Sequence, residues 1–110
     1  MILEDGHLLR IFIGERDRYM ARPLYEWILH KAHQEGLAGA TVIRGMMGYG
    51  PGSRIASSKL LRLSQDLPVI IEIVDARAKL ERFLEVIQDA IPQGLVTLEK
   101  AQVCLYRGRE

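Results

Sequence analysis

The residues best suited to chemistry are concentrated in one segment, residues 44–63. Four glycines fall within the eight positions 45–52, which is more backbone freedom than a tight hairpin needs. The segment also carries four cations and no acid: Arg44, Arg54, Lys59 and Arg62. Because the whole chain has a formal net charge of only +1, the remainder is acidic. A glycine-rich cationic loop favours binding of an anion or docking on a partner, and the alternative is a solvated, mobile loop.

No known catalytic or phosphate-binding motif occurs in this segment. It matches neither G-x-x-x-x-G-K-[ST] nor a G-x-G-x-x-G that opens a helix. Its serines have no histidine near them in sequence, so they are not predicted to be nucleophiles. His30 and His33 share one face of a predicted helix but lack an apparent carboxylate or cysteine partner. We therefore expect no catalytic residue and no metal site, and we expect the cations and glycine N–H groups to hold a phosphate.

The composition is that of one ordinary globular domain of 110 residues. A hydrophobic content of 48% excludes a disordered tail, and the near-neutral charge argues against a general nucleic-acid binder. The single cysteine, Cys104, excludes an internal disulfide and fits a reducing compartment. No apolar run reaches membrane length and the acidic start does not resemble a signal peptide. We expect a cytoplasmic protein.

The hydrophobic pattern predicts four strands and two helices. The strands are expected at residues 8–14, 40–44, 69–74 and 95–106. The last of them is expected to break near Glu99. One helix should begin near Pro23 and end at Gly36 with a left-handed cap, and the other should be capped by Asp75 and end at Pro92.

The predicted order strand, helix, strand, strand, helix, strand is that of an α+β, ferredoxin-like βαββαβ domain. In this arrangement a four-stranded antiparallel sheet carries both helices on one face. Residues 69–74 are apolar on both faces of their strand. A monomer with one bare sheet face would expose too much apolar area, so we expect oligomerisation through the sheet. The alternative is that the long loop folds back as the cover.

Three segments resemble the PII signalling superfamily, and more closely its small PII-like branch. The run Ala-Thr-Val-Ile-Arg-Gly-Met-Met-Gly-Tyr-Gly at residues 40–50 is similar to the end of the second strand and the base of the PII T-loop. The run Leu-Pro-Val-Ile-Ile-Glu-Ile-Val-Asp at 67–75 is similar to the third strand. Residues 94–110, which end in Tyr-Arg-Gly-Arg-Glu, resemble the last strand and its basic exit.

This resemblance implies a homotrimer with nucleotide sites in the clefts between subunits and a T-loop that binds a target protein. It places Gly45, Gly48 and Gly50 at the loop base beside the ligand, and Arg107 and Arg109 at positions that contact phosphates. The loop after the second helix, residues 91–96, differs from PII proteins because it holds no cation. The ligand therefore stays open between an adenine nucleotide and another phosphate compound such as a cyclic dinucleotide.

The first functional hypothesis is a non-enzymatic PII-like regulator that binds a small phosphate-bearing ligand and signals through residues 45–62. By analogy with the family, its target would be a membrane transporter or a metabolic enzyme. The alternative is a small enzyme or anion-binding protein that uses the same loop as a lid. The expected ligand-binding residues are Arg44, Gly45, Gly48, Gly50, Arg54, Lys59, Arg62, Arg107 and Arg109.

Overall fold

The computed structural model describes residues 2–50, 55–57 and 66–104. The main strands are β1 (Glu4–Gly14), β4 (Ala40–Arg44), β7 (Pro68–Asp75) and β8 (Leu95–Val103). The helices are α1 (Leu24–Gln34) and α2 (Arg77–Ile87), and a 3-10 turn (Gln88–Ala90) follows α2. There are also two small hairpins: β2 (Arg18–Tyr19) with β3 (Arg22–Pro23), and β5 (Met47–Gly48) with β6 (Ala56–Ser57).

The four main strands form one antiparallel sheet in the order β4-β7-β1-β8. Strand β1 lies beside both β7 and β8, with Ile11 opposite Ile71 on one side and Val96 on the other. This is the expected ferredoxin-like α+β fold, and the prediction is confirmed. No helix in the part of the chain that the structure describes is long and apolar enough to cross a membrane.

Alternation along the strands separates a covered face of the sheet from an open one. Odd-numbered side chains of β1 and β7 form the core with α1 and α2. Its buried members include Leu9, Ile11, Ile13, Val69, Ile71, Ile73, Leu24, Ile28, Leu80, Phe83 and Ile87. Even-numbered side chains, such as Leu8, Phe12 and Ile70, lie on the open face and are half-buried.

The end of α1 follows the predicted glycine cap. Gly36 has a φ of 75° and its N–H donates to the His33 carbonyl, while the Leu37 N–H donates to the Ala32 carbonyl. These are the two bonds of a Schellman motif, and Leu37 packs back on the core. The cap turns the chain sharply toward β4.

Two expectations about the second half were wrong. Strand β8 is continuous, because Glu99 lies on the open face where Arg10 neutralises it, so its charge does not interrupt the strand. Asp75 does not cap α2, whose N-cap is Ala76 without a side-chain bond. The Asp75 Oδ2 instead accepts the Ala38 N–H at 3.0 Å and ties the end of β7 to the segment before β4.

The β2–β3 hairpin was not predicted, because its turn contains no glycine or asparagine. Its two central residues, Met20 and Ala21, have φ values of 51° and 63°. Positive φ at both central positions is typical of a type I′ turn and costs an ordinary residue about 1 kcal/mol. The Arg18 guanidinium donates to the Ala21 carbonyl at 2.8 Å, and Tyr19 packs edge-on against Trp27. These contacts hold the unfavourable turn at the start of α1.

We expect Ala21→Gly to raise the free energy of unfolding by about 0.5–1 kcal/mol, because glycine adopts positive φ without steric cost. The matched control is Ala78→Gly, which lies at an exposed position in α2 and should lower stability by a similar amount. Urea unfolding at fixed protein concentration measures both. Equal losses in the two variants would contradict a left-handed turn at Ala21.

Candidate functional site

Both legs of the long loop are fixed at one end of the sheet by the Pro68 residue that begins β7. The Gly45 N–H donates to the Pro68 carbonyl at 2.7 Å. A Cβ at Gly45 would lie 2.7 Å from the Pro68 Cγ, and one at Gly48 would lie 3.1 Å from it. A side chain at Gly45 would therefore collide with the proline ring, and one at Gly48 would press against it.

The turn after β1 ties the same two legs together. The Glu15 N–H donates to the Leu67 carbonyl at 2.8 Å, which fixes the returning leg. The Glu15 carboxylate accepts a hydrogen bond from the Arg44 guanidinium at 2.9 Å, which fixes the outgoing leg. Glu15 thus connects the outgoing and returning legs at the base of the loop.

A cleft of about 660 Å³ opens beside this loop base, on the open side of the sheet. Phe12 and Leu95 form its apolar floor, since they are register partners on β1 and β8. Residues 48–50 form one wall, and Gln93 with Gly94 forms the other. The loop base and the return after α2 therefore meet around one cavity of the size that holds a small organic ligand.

Asp66 supplies the one carboxylate among the described residues that line this cleft. Its Oδ1 accepts the Arg16 N–H at 2.8 Å. Its Oδ2 lies over the Cα of Gly14, where any Cβ would collide with the carboxylate. The Gly14 N–H itself donates to the Asp17 Oδ2 at 3.0 Å. The side chain of Asp66 is thus positioned by the turn that follows β1.

The predicted site residues do not all come together. Gly48 and Gly50 line the cleft, and Gly45 contacts Pro68 just outside it. Arg44 lies opposite the core residue Val69 in the strand register, so its side chain is on the face of the sheet that carries the helices. There it forms an ion pair with Glu15. Five of the predicted cations lie outside the described residues: Arg54, Lys59, Arg62, Arg107 and Arg109.

Sequence reasoning did not find Phe12, Gln93 or Asp66 as lining residues. Phe12 appears in sequence as one of several apolar positions of a strand, and Gln93 as part of a turn. Asp66 stands 21 residues from the glycine at position 45, so only the folding of the loop brings them to one cavity. The one available signal was its place just before Pro68, where both legs must meet.

An ion-pair network occupies the centre of the open face. The Arg10 Nε donates to the Glu72 Oε2 at 2.8 Å, and its Nη1 donates to the Glu99 Oε1 at 2.5 Å. The two glutamates raise the pKa of the Arg10 guanidinium through these hydrogen bonds, so it stays charged at any pH at which the fold exists. The half-buried side chains of Leu8, Phe12 and Ile70 lie on the same face of the sheet.

A second cleft of about 740 Å³ lies at the other end of the sheet. Its charged lining residues are acidic: Glu4, Asp5, Glu72 and Asp75. Three of them, Asp5, Glu72 and Asp75, already accept protein hydrogen bonds, from Gln102, Arg10 and Ala38 respectively. Four carboxylates suit a phosphate less well than the one described carboxylate at the loop base, so the cleft at the loop base is the stronger candidate.

The family model described as DUF190, an uncharacterized ACR, matches residues 6–103. The chain belongs to the DUF190 family. A UPF0166 protein of Aquifex aeolicus is 44% identical over 96 residues, which cover 87% of this chain and 90% of the relative. A UPF0166 protein of Methanocaldococcus jannaschii is 35% identical over 102 residues, or 92% of each chain.

Solved structures similar to this DUF190 chain include PII-like proteins. CPII of Thiomonas intermedia K12, a nitrogen regulatory PII-like protein bound to ADP, AMP and bicarbonate, has a TM-score of 0.70 and 18% identity over 92% of this chain and 90% of its own. A putative PII-like signalling protein of Thermus thermophilus has a TM-score of 0.60 and 18% identity, over 94% and 91%. The fold implied by the resemblance is confirmed.

We expect Gly94→Ala to destabilise the DUF190 fold by about 1–3 kcal/mol, because its Cβ would lie 2.7 Å from the backbone oxygen of Phe12. The control is Gly39→Ala, which meets no atom within 4 Å and should change stability by less than about 0.5 kcal/mol. Thermal and urea unfolding measure both variants. A Gly94→Ala protein as stable as the parent would show that the cleft wall stands farther from β1.

Proposed function

We propose that this chain is a PII-like regulator that assembles as a homotrimer, binds a small phosphate-bearing ligand and signals through residues 45–62. The single observation that carries the proposal is the cleft at the loop base. It joins Gly48 and Gly50 of the loop to the floor of the sheet, so a ligand there touches the element that would change conformation. The ligand class is an adenine nucleotide. Proteins of the same fold have been solved with ADP and AMP.

Trimer formation is supported by the open face of the sheet. Ile43 is 42% exposed and Leu95 is 55% exposed, although both lie in main strands of the sheet. Threefold packing of these faces would remove their apolar area from water and leave no bare sheet. The Arg10 network would enter such an interface with its guanidinium already paired to two carboxylates. Pairing before burial lowers the cost of removing charges from water.

Phosphate binding is assigned to cations that lie beyond the described residues. The lining residues of the cleft contain no cation among those that the structure describes. Arg54, Lys59 and Arg62 of the loop and Arg107 and Arg109 of the C-terminal segment are the proposed phosphate ligands. In a trimer, a neighbouring copy can contribute some of them to each cleft.

The proposal assigns no catalytic step to the cleft. It places the protein in the cytoplasm, where Cys104 would remain reduced, and it makes the loop the contact with a target protein. The exposed side chains of Met46, Met47 and Tyr49 on the outgoing leg are suited to such a contact. The target is a membrane transporter or a metabolic enzyme.

Light scattering should give three chains per particle for the parent protein. Ile70→Lys should yield monomers, because a lysine in the centre of the open face would be buried without a partner on assembly. Val86→Lys, on the outer face of α2, is the control and should remain trimeric. A parent protein that is monomeric at micromolar concentration would remove the intersubunit part of the proposal.

ADP and AMP should raise the melting temperature and bind measurably by calorimetry. Arg54→Ala and Arg107→Ala should each weaken the binding of ADP by about ten- to a hundredfold, since each removes one charged hydrogen bond. Arg77→Ala is the control, because Arg77 pairs with Glu81 on the surface of α2. Unchanged affinity in both arginine variants would place the phosphate elsewhere, and steady release of phosphate from ADP would favour an enzyme.

A further inference from the structure

We propose that Asp66 selects the ligand by accepting a hydrogen bond from a neutral donor of a nucleoside, either a ribose hydroxyl or the exocyclic amine of the base. This inference rests on the proposed nucleotide binding and adds which end of the ligand enters the cleft. The nucleoside lies against the floor of the cleft, and the phosphates point away from it, toward the mouth.

The position of Asp66 is fixed before any ligand arrives. Its Oδ1 is held by the Arg16 N–H at 2.8 Å, and Gly14 leaves room for the carboxylate because it has no Cβ. The backbone bond from Arg16 uses Oδ1, and Oδ2 lies above Gly14, which also lines the cleft. This second oxygen is the acceptor assigned to the ligand. A preorganised acceptor costs little conformational entropy when a ligand binds.

The charge of the described lining also selects the orientation. Asp66 is the one carboxylate among the described lining residues, and none of them is a lysine or an arginine. Asp66 is exposed, and a phosphate beside it would still suffer like-charge repulsion, whereas an O–H or N–H donor would gain a charge-assisted bond. The carboxylate therefore favours the uncharged half of a nucleotide.

The other lining residues of the cleft suit the nucleoside part of the nucleotide. Phe12, Leu95 and Pro68 present apolar surface, and Tyr49 offers an aromatic ring at the edge. Gly48 and Gly94 keep both side walls free of bulk. A flat purine can lie in such a cavity and leave its hydrophilic edge at Asp66.

The test compares Asp66→Asn with the parent protein, using adenosine, AMP and ADP as calorimetric probes. Asparagine can still accept the Arg16 N–H through its carbonyl oxygen, but it replaces the second acceptor by a donor. We expect the affinity for adenosine to fall by about ten- to a hundredfold. The loss should be smaller for ADP, because removal of the negative charge also relieves repulsion of the phosphates. Glu85→Gln on the exposed side of α2 removes the same charge away from the cleft and should leave all affinities unchanged.

Three analogues identify the donor. Inosine lacks the exocyclic amine, 2′-deoxyadenosine lacks the 2′-hydroxyl and 3′-deoxyadenosine lacks the 3′-hydroxyl. The analogue that lacks the donor should bind the parent protein weakly and should lose nothing further in Asp66→Asn. A purely structural role of Asp66 would instead lower the affinity for all probes equally, together with the melting temperature, and would overturn the inference.

The remaining outcomes separate this inference from the proposed function. ADP binding to the parent with unchanged adenosine affinity in Asp66→Asn would overturn the selection by Asp66 and leave the regulator proposal standing. Tighter binding of adenosine to Asp66→Asn would also overturn it, because the carboxylate would then be an obstacle. Failure of the parent to bind adenosine, AMP and ADP would overturn both.

Discussion

The register of β1 against β7 is the constraint on which the rest of the molecule depends. Ile11 opposite Ile71 places the odd-numbered side chains of both strands under the helices. A slip of one residue would turn the core side chains of one strand to the open face and bring the even-numbered ones inside. The same register sets Gly14 opposite Pro68, so the burial of the core also determines where the loop begins and returns.

The base of the loop is fixed at that end of the sheet. Pro68 ends the returning leg, and its ring and carbonyl receive Gly45 of the outgoing leg. The turn after β1 adds two acids with different tasks: Glu15 holds Arg44 on the helix side, and Asp17 holds the backbone of Gly14. Asp66 then lies above Gly14 on the open side. A ligand in the cleft would thus contact a rigid frame on one side and the first residues of the loop on the other, which is the arrangement that a ligand-sensing loop requires.

Much of this architecture follows from local patterns in the sequence. The odd-even alternation of β1, the helical spacing of Leu80, Phe83 and Ile87, and the cap at Gly36 each depend on residues close together in the chain. Such patterns determined the element order and the α+β class. The errors at Asp75 and Glu99 have a common origin, because both side chains are satisfied by residues far away in sequence, Ala38 and Arg10. A propensity rule that treats an acid as a cap or a strand breaker does not include such partners.

The sequence by itself determined that the chain forms a ferredoxin-like domain with a glycine-rich, cationic loop between its second and third main strands, because periodicity, caps and charge are local properties. Only the tertiary structure decided how the loop base is used. It turned Arg44 away from the cleft to pair with Glu15, and it brought Phe12, Asp66 and Gly94 to one cavity. Those residues are separated by dozens of positions, and their meeting depends on strand order and register, which are decided by burial of the whole core and not by any one segment.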